Sequence, residues 1–170
     1  MLKLGIEDWK KRIDAQFDAG LYENVTVEHS VTTDEITNFE YCLEPKEVVL
    51  MSEQVDAPIE EEYAERSFIF MRTDDMYKYF EDCLHTRKAA FVNNYDGKDN
   101  HCISYFQFYM RGNLFNMNVY VRSMNFVTNF VFDNQTFTLA YNRLYERLRG
   151  RVSRGYIRVF VFSLHKYVRV

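Results

Sequence analysis

The sequence predicts an α+β fold in which helices pack on a mixed and mostly aromatic sheet. Phe and Tyr make up most of an aromatic content of 17%, which is typical of sheet-rich packing. Apolar residues recur every three or four positions in some segments and every second position in others, as amphipathic helices and half-buried strands require. A chain of 170 residues with 47% hydrophobic content is long enough to bury a core, so we predict a single domain over residues 1–170.

The chain begins with a predicted helix over residues 5–19. Trp9, Ile13 and Phe17 recur every four residues there, which places them on one face. Gly20 follows this pattern at the position where a glycine commonly ends a helix. The segment is therefore predicted to be an amphipathic helix with an aromatic face.

A less regular stretch follows. Residues 24–51 are strand-like, and residues 52–66, with three consecutive glutamates, predict an exposed acidic loop or a short helix. Residues 67–72 are predicted to be a short buried strand because the run Phe-Ile-Phe-Met lies between polar residues. Thr73 is then expected to cap a helix over residues 74–84, whose first turn is acidic.

The second half of the chain predicts most of the sheet. Residues 89–93 predict a strand, and the following residues 94–100 predict a loop. Two long strands are predicted over residues 103–110 and 114–122, because the Arg-Gly-Asn segment at 111–113 has the residue types of a hairpin turn.

One helix and one strand complete the prediction. The helix covers residues 134–149 and ends at Gly150, and a final strand covers residues 156–164. The residues predicted to line the buried face of this helix are Phe137, Ala140, Tyr141, Leu144 and Leu148.

Composition excludes several classes of protein. No window approaches 18 consecutive apolar residues, and the first residues lack the apolar segment of a signal peptide, so we expect a soluble cytoplasmic protein. Cys42, Cys83 and Cys102 are an odd number of cysteines without a Cys-x-x-Cys pair, which predicts reduced thiols. The four histidines show no metal-ligand spacing, so no metal site is expected.

Charge is distributed unevenly along the chain. The net charge is −4, but residues 1–85 carry 8 basic and 21 acidic side chains, whereas residues 86–170 carry 13 basic and 4 acidic ones. The basic half favours an anionic ligand. The alternative interpretation is that the two halves complement each other within the fold.

Chemically active side chains concentrate between residues 102 and 133. Cys102 precedes the first long strand, Arg122 and Ser123 end the second, and Asp133 follows shortly after. Such a set could hold a phosphorylated ligand against a thiolate, since a guanidinium group grips phosphate and lowers the pKa of a nearby thiol. The alternative for Cys102 alone is that of a small core residue.

These residues resemble the core of the thymidylate synthase and deoxycytidylate hydroxymethylase family. That core has a catalytic cysteine five residues before a glutamine, then a tyrosine-x-arginine-serine segment after a hairpin. In this chain Cys102 lies five residues before Gln107, and residues 120–123 read Tyr-Val-Arg-Ser. Asp133 lies eleven residues past Arg122, where the family has an asparagine.

Two further segments extend the resemblance over residues 86–167, about half of the chain. The family's histidine-x-tyrosine looks like His165-Lys-Tyr167, and its serine-arginine-arginine looks like Thr-Arg87-Lys88. The resemblance implies a thymidylate synthase-like fold, reduced in size, and a pyrimidine mononucleotide such as dCMP or dUMP as ligand.

The resemblance also implies a role for each matched residue. Cys102 would add to C6 of the pyrimidine, which makes C5 nucleophilic toward a one-carbon unit. Arg122 and Ser123 would bind the phosphate. The residues implied for the base are Asp133, Asn125 and Gln107, and those implied for the sugar are His165 and Tyr167.

Arg87 and Lys88 resemble the family's phosphate ligands from the second subunit. Such ligands reach across a sheet-to-sheet interface, so the resemblance implies a homodimer in which each site is completed by the partner. The alternative interpretation of this pair is a solvated basic segment that follows a helix.

Asp133 is the departure with the clearest chemical meaning. An asparagine offers the uracil edge both a donor and an acceptor, whereas an ionised aspartate offers acceptors only. Cytosine presents an amine donor there, so the resemblance favours cytidylate over uridylate, and the hydroxymethylase branch has aspartate at this place. The alternative is that Asp133 is the N-cap of the following helix.

Other departures concern the folate side of the family's site. The resemblance implies methylenetetrahydrofolate as cofactor, but the tryptophan and glutamate segments and the C-terminal tail have no clear counterpart. Asn129 stands where the family has glycine, and Ile103 where it has histidine. A catalytically inactive nucleotide-binding or dimeric interaction protein is therefore the alternative function.

Nucleic-acid binding is a third hypothesis. It rests on a run of arginines in the second half of the chain, which is of the kind that binds phosphates. The residues are Arg143, Arg147, Arg149, Arg151, Arg154 and Arg158.

Overall fold

The structure, a computed structural model, describes residues 3–27, 31–44, 60–94, 96–97 and 101–167. In that part of the chain, helices cover one face of a mixed sheet, which is the predicted α+β architecture. The helices are α1 (Ile6–Asp18), α2 (Glu60–Asp82) and α3 (Phe130–Leu148). The strands are β1 (Lys3–Leu4), β2 (Glu23–Val27), β3 (Val31–Leu43), β4 (Ala90–Val92), β5 (Ile103–Arg111), β6 (Leu114–Asn125) and β7 (Ser153–Tyr167).

The sheet contains both parallel and antiparallel neighbours. Its strand order is β1-β3-β7-β6-β5-β4, and β2 pairs with β3 off that path. β6 and β7 are parallel, because α3 crosses between them, whereas β5 and β6 form an antiparallel hairpin. The C-terminal ends of β6 and β7 therefore lie together, and the start of β5 lies beside them.

The N-terminal elements match the prediction where the structure describes them. α1 begins and ends within one residue of the predicted helix, and Trp9, Ile13 and Phe17 are buried. β2 and β3 account for much of the strand-like region. Residues 48–51, which end that region, lie outside the described residues, as do residues 52–59.

The prediction for residues 67–72 was wrong. They are not a strand but the middle of α2, and Thr73 does not cap a helix. Ile69, Thr73 and Phe80 are fully buried at helical spacing, and Thr73 Oγ1 donates to the Ile69 carbonyl oxygen one turn earlier at 2.8 Å. None of the helices in the described ranges is long and apolar enough to cross a membrane.

α3 begins four residues earlier than predicted. Its N-cap is Asn129, so the alternative interpretation of Asp133 as the N-cap was wrong. Asp133 lies in the first turn, where a carboxylate is favoured by the unpaired N–H groups of the helix. The residues predicted for the buried face are all buried, and Gly150, at φ 85°, follows the helix as predicted.

An aromatic core lies between the helices and the sheet. Phe115 of β6 contacts Phe80 of α2 and Tyr141 of α3, with ring centroids 5.6 Å and 5.1 Å apart. Phe106 of β5 meets Phe137 of α3 edge to face. The aromatic composition is thus explained by packing of rings from both layers.

In β6 and β7, the alternation of buried and exposed residues changes at one row of the sheet. In β6 the buried residues include Met117, Val119 and Val121 and then Met124, so the pattern changes from odd to even numbers. β7 changes in the same way, from Ile157, Val159 and Val161 to Leu164.

The change occurs at a row of the sheet that contains one residue from each of β3, β7 and β6. Asn38 of β3 has a φ of 52° and lies between the paired rows Thr37↔Ser163 and Phe39↔Val161, so it faces Phe162 of β7. Arg122 of β6 lies at the same row. All three side chains are exposed. The sheet therefore presents a different set of side chains beyond this row.

Candidate active site

Cys102 lies directly before β5, beside the end of β6. The Arg122 N–H donates to the Cys102 carbonyl oxygen at 2.7 Å, and Ile103 pairs with Val121. The antiparallel hairpin thereby brings together two residues that are twenty positions apart in the sequence. The predicted nucleophile and the predicted phosphate ligand are neighbours in the structure.

Three charged side chains act on the Cys102 thiol. Cys102 reaches solvent, yet the protein atoms around its sulfur exclude enough water to raise its pKa. Arg122 opposes this shift through its charge and a hydrogen bond to the sulfur, while Asp133 and Glu65 raise the pKa further. The thiol therefore carries its proton at neutral pH in the free protein.

Asp133 is held inside the protein at the start of α3. It is 5% exposed, and its N–H donates to the Asn129 carbonyl oxygen at 2.8 Å. Its charge raises the pKa of Cys102 on one side and contributes to the raised pKa of Tyr41 on another, where burial is the larger cause. The carboxylate thus lies between the buried core and the thiol.

Ser123, His165 and Tyr167 form a second group at the ends of β6 and β7. Ser123 Oγ lies 3.4 Å from His165 Nδ1, and the ring centroids of His165 and Tyr167 are 5.4 Å apart. Burial lowers the pKa of His165, although the charge of Glu35 and a hydrogen bond to Ser163 oppose the shift. The imidazole is therefore neutral near pH 7.

Asn125 and Gln107, which were predicted for the base, are engaged elsewhere. Asn125 Oδ1 accepts hydrogen bonds from the N–H groups of Val127 and Thr128 at 3.0 and 3.3 Å, which shapes the turn before α3. Gln107 pairs with Asn118 in the middle of the sheet and accepts its side-chain amide at 3.3 Å. This hydrogen bond joins the side chains of Gln107 and Asn118 across β5 and β6.

Arg87 and Lys88 lie in the segment between α2 and β4. Both side chains are exposed, and Thr86 Oγ1 accepts a hydrogen bond from the Lys88 N–H at 3.1 Å. Neither acts on the Cys102 thiol of its own chain. Their place on the surface leaves them accessible to a second molecule.

Glu65 and Asn93 are the site residues that the sequence analysis missed. Glu65 belongs to α2 and lies close enough to Cys102 to influence its thiol. Asn93, 1% exposed, donates from Nδ2 both to the Glu65 carboxylate and to the Ile103 carbonyl oxygen. The signal that could have found Glu65 is a helical pattern through residues 60–72, which the apolar run at 68–71 obscured.

The arginines that motivated the nucleic-acid hypothesis make contacts within the chain. Arg143 forms an ion pair with Asp74, and the guanidinium carbon of Arg147 lies 3.8 Å from the ring centroid of Tyr77. Arg154 contacts Tyr145 and Glu146. These contacts tie α3 to α2 and to β7, so Arg143, Arg147 and Arg154 contribute to packing between elements of the fold.

Comparison with known proteins bears on the fold. No protein-family model matches the sequence, and no curated protein sequence is significantly similar to it. The structure is similar to that of thermostable thymidylate synthase A from Bacillus subtilis, with a TM-score of 0.67 and 10% sequence identity. The match covers 97% of this chain and 80% of that one. The chain therefore has a thymidylate synthase-like fold.

Proposed function

We propose that this chain binds a pyrimidine mononucleotide and activates its C5 carbon for one-carbon transfer, with cytidylate favoured over uridylate. The observation that carries the proposal is that Arg122 of β6 and Asp133 of α3 both act on the thiol of Cys102, which lies directly before β5. The thymidylate synthase-like fold supports the same function.

The chemical step begins with proton loss from Cys102. The thiolate sulfur forms a bond to C6, and the electron pair of the C5–C6 double bond moves onto the ring, so that C5 becomes nucleophilic. Arg122 stabilises the thiolate, because its charge and hydrogen bond both lower the thiol pKa. When no one-carbon unit is added, C5 takes up a proton from solvent and then loses its original hydrogen as a proton. The C6–sulfur bond breaks, the C5–C6 double bond reforms and the thiolate is regenerated, so that the hydrogen at C5 has been exchanged.

Asp133 supplies the selection of the base in this proposal. An ionised carboxylate accepts the amine protons of cytosine and repels the carbonyl oxygen of uracil. Its burial strengthens both effects, since charges interact more strongly away from water. Cytidylate is therefore the preferred ligand.

One described residue argues against the folate expected from the resemblance. Asn129, which stands in place of the family's glycine, has a half-buried side chain that accepts a hydrogen bond from Thr128 Oγ1. A side chain at this position, where the family has glycine, would crowd the cofactor side of the proposed pocket.

The assembly we propose is a homodimer joined through the open face of the sheet. The ring of Tyr120 of β6 lies between those of Tyr105 of β5 and Phe160 of β7. Its centroid is 5.6 Å from that of Tyr105 and 4.7 Å from that of Phe160, on which it stacks. These rings face away from the helices, and Phe162 next to them is 57% exposed. An aromatic patch of this kind favours burial against a second copy, which would bring Arg87 and Lys88 of one protomer to the site of the other.

Sedimentation velocity tests the dimer. We expect the wild-type chain to sediment as a dimer at micromolar concentration and Phe160→Glu to sediment as a monomer. Val127→Glu is the matched control, since Val127 is a 68% exposed apolar residue in the turn before α3. A monomeric wild type, or a dimer that survives Phe160→Glu, contradicts this assembly.

Two measurements test the proposed function without folate. Titration calorimetry should show dCMP binding tighter than dUMP binding, and Arg122→Ala should abolish both. Asp133→Asn should reverse the preference by about tenfold or more, which corresponds to one base-edge contact. Release of tritium from C5 of labelled dCMP, abolished by Cys102→Ala, tests the thiol addition.

A noncatalytic nucleotide-binding or dimeric interaction protein is the second candidate function. The raised pKa of Cys102 and the internal hydrogen bonds of Asn125 favour it. Nucleotide binding without tritium release would support this candidate, whereas release that depends on Cys102 would eliminate it.

A further inference from the structure

Asn93 links two elements that meet at the candidate active site. Its backbone N–H donates to the Ser104 carbonyl oxygen at 2.9 Å, and its Nδ2 donates to the Ile103 carbonyl oxygen at 2.8 Å. The second Nδ2 hydrogen goes to the carboxylate of Glu65 on α2. The buried amide therefore fixes Glu65 against the strand that begins directly after Cys102.

The same turn of α2 is held from the opposite side. Arg66 lies with its guanidinium carbon 4.8 Å from the ring centroid of Phe132, the residue before Asp133. Glu65 is thus fixed by β4 and β5 while its neighbour Arg66 is fixed by α3. Two contacts in different directions leave this turn little freedom to move the carboxylate away from the thiol.

We propose that Glu65, oriented by Asn93, is a second carboxylate of the site and disfavours the thiolate of Cys102. The proposal deepens the proposed function and rests on it, because it concerns the thiol assigned there as nucleophile. Glu65 adds to the effects of burial and of Asp133 on the thiol while the site is empty, and Asn93 is a positioning residue that acts through Glu65.

The charged groups that face Cys102 come from every element around it. Arg122 of β6 favours the thiolate, whereas Asp133 of α3 and Glu65 of α2 disfavour it. Since two carboxylates oppose one guanidinium group, removal of either carboxylate charge shifts the balance toward the thiolate. Glu65 is held by the side-chain amide of Asn93, which a substitution can remove.

The test is the pH profile of Cys102 alkylation in the free protein. Iodoacetamide is added between pH 6 and 10, and mass spectrometry of peptides separates Cys102 from Cys42 and Cys83. Glu65→Gln keeps the acceptor for Asn93 but removes the charge, so we expect a lower apparent pKa and alkylation about threefold faster at pH 7. Glu146→Gln, on an exposed part of α3, should leave the profile unchanged.

Asn93→Ala tests the positioning role. It should move the profile in the direction of Glu65→Gln, and in the Glu65→Gln background it should have no further effect, since the charge it positions is gone. An unchanged profile in Glu65→Gln overturns the proposal even if Asn93→Ala fails to fold. The assay contains no nucleotide, so its failure is separate from a failure of dCMP to bind.

Discussion

The two ends of β6 are built from different kinds of interaction. At its start, Tyr141 of α3 donates to the Phe115 carbonyl oxygen at 2.7 Å and accepts the Gly155 N–H at 3.0 Å. Asn116, fully buried beside them, accepts the Tyr156 N–H at 3.2 Å. At the other end, Arg122 lies among the carboxylates and the thiol of the candidate active site.

The comparison separates stability from chemistry. At the start of β6, neutral groups satisfy one another away from water, which is how a buried polar network stabilises a fold. At its end, Arg122 and Cys102 are exposed, and a charge near solvent changes the pKa values of its neighbours while contributing little to folding. Substitutions at the two ends should therefore differ in what they change.

Gly155→Ala should have the largest effect on stability. A Cβ at this position would overlap Asn116 Oδ1 and the Phe115 carbonyl oxygen, neither of which can withdraw without breaking the network. We expect a loss of about 3 kcal/mol or more in the free energy of unfolding, measured by urea denaturation. Arg151→Ala, in the exposed turn before β7, is the control, and equal losses in both variants would contradict the prediction.

Tyr141→Phe should have the next largest effect on stability. It leaves a buried carbonyl oxygen and a buried N–H without their partner, which costs about 1–3 kcal/mol. Burial raises the pKa of Tyr141 to about 12, so the hydroxyl is protonated and able to donate at any ordinary pH. Tyr145→Phe, one turn along on α3, should cost much less in the same denaturation experiment.

Arg122→Ala should have the opposite profile, with a small effect on stability and a large effect on the reactivity of Cys102. We expect a change within about 0.5 kcal/mol in the free energy of unfolding, because Arg122 is exposed. Its loss should raise the pKa of Cys102 and slow alkylation several-fold at pH 8, the opposite direction to Glu65→Gln. A large loss of stability with an unchanged alkylation rate would show that the two ends do not differ as described.

His165 should give the smallest effect, and only in acid. Burial lowers its pKa in the folded protein, so the unfolded chain binds the proton more tightly and stability falls as pH drops below the ordinary histidine value of about 6.5. Between pH 7.5 and 5.5, His165→Gln should therefore lose less melting temperature than the wild type. Equal losses would indicate that other groups dominate this pH range.

Much of the fold could be predicted because local patterns agreed with the final packing. The buried face of α3 and the β5–β6 hairpin follow directly from spacing and turn chemistry. The last part of α2 was predicted as a helix over residues 74–84, but its middle could not be predicted, since four consecutive apolar residues at 68–71 fit a buried strand as well as a helix. Only contacts with Phe115 and other distant residues decide between the two.

The candidate site was predictable only in part, for a related reason. Cys102 and Arg122 lie in one hairpin, so sequence order already implied that they meet. Glu65 and Asn93 come from elements whose places depend on the whole sheet, and the misassigned α2 hid the first of them. The role of Asn125 in a turn was equally hidden, because a turn amide and a ligand-binding amide look the same in a sequence.

The row at which Asn38, Arg122 and Phe162 line up has a consequence for tolerance to mutation. Before this row, a saturation scan of β6 and β7 should demand apolar residues at odd-numbered positions, and after it at even-numbered ones. A single inserted or deleted residue at the row would exchange the two patterns in one strand only. Length variation there should therefore be selected against more strongly than almost any change of side chain.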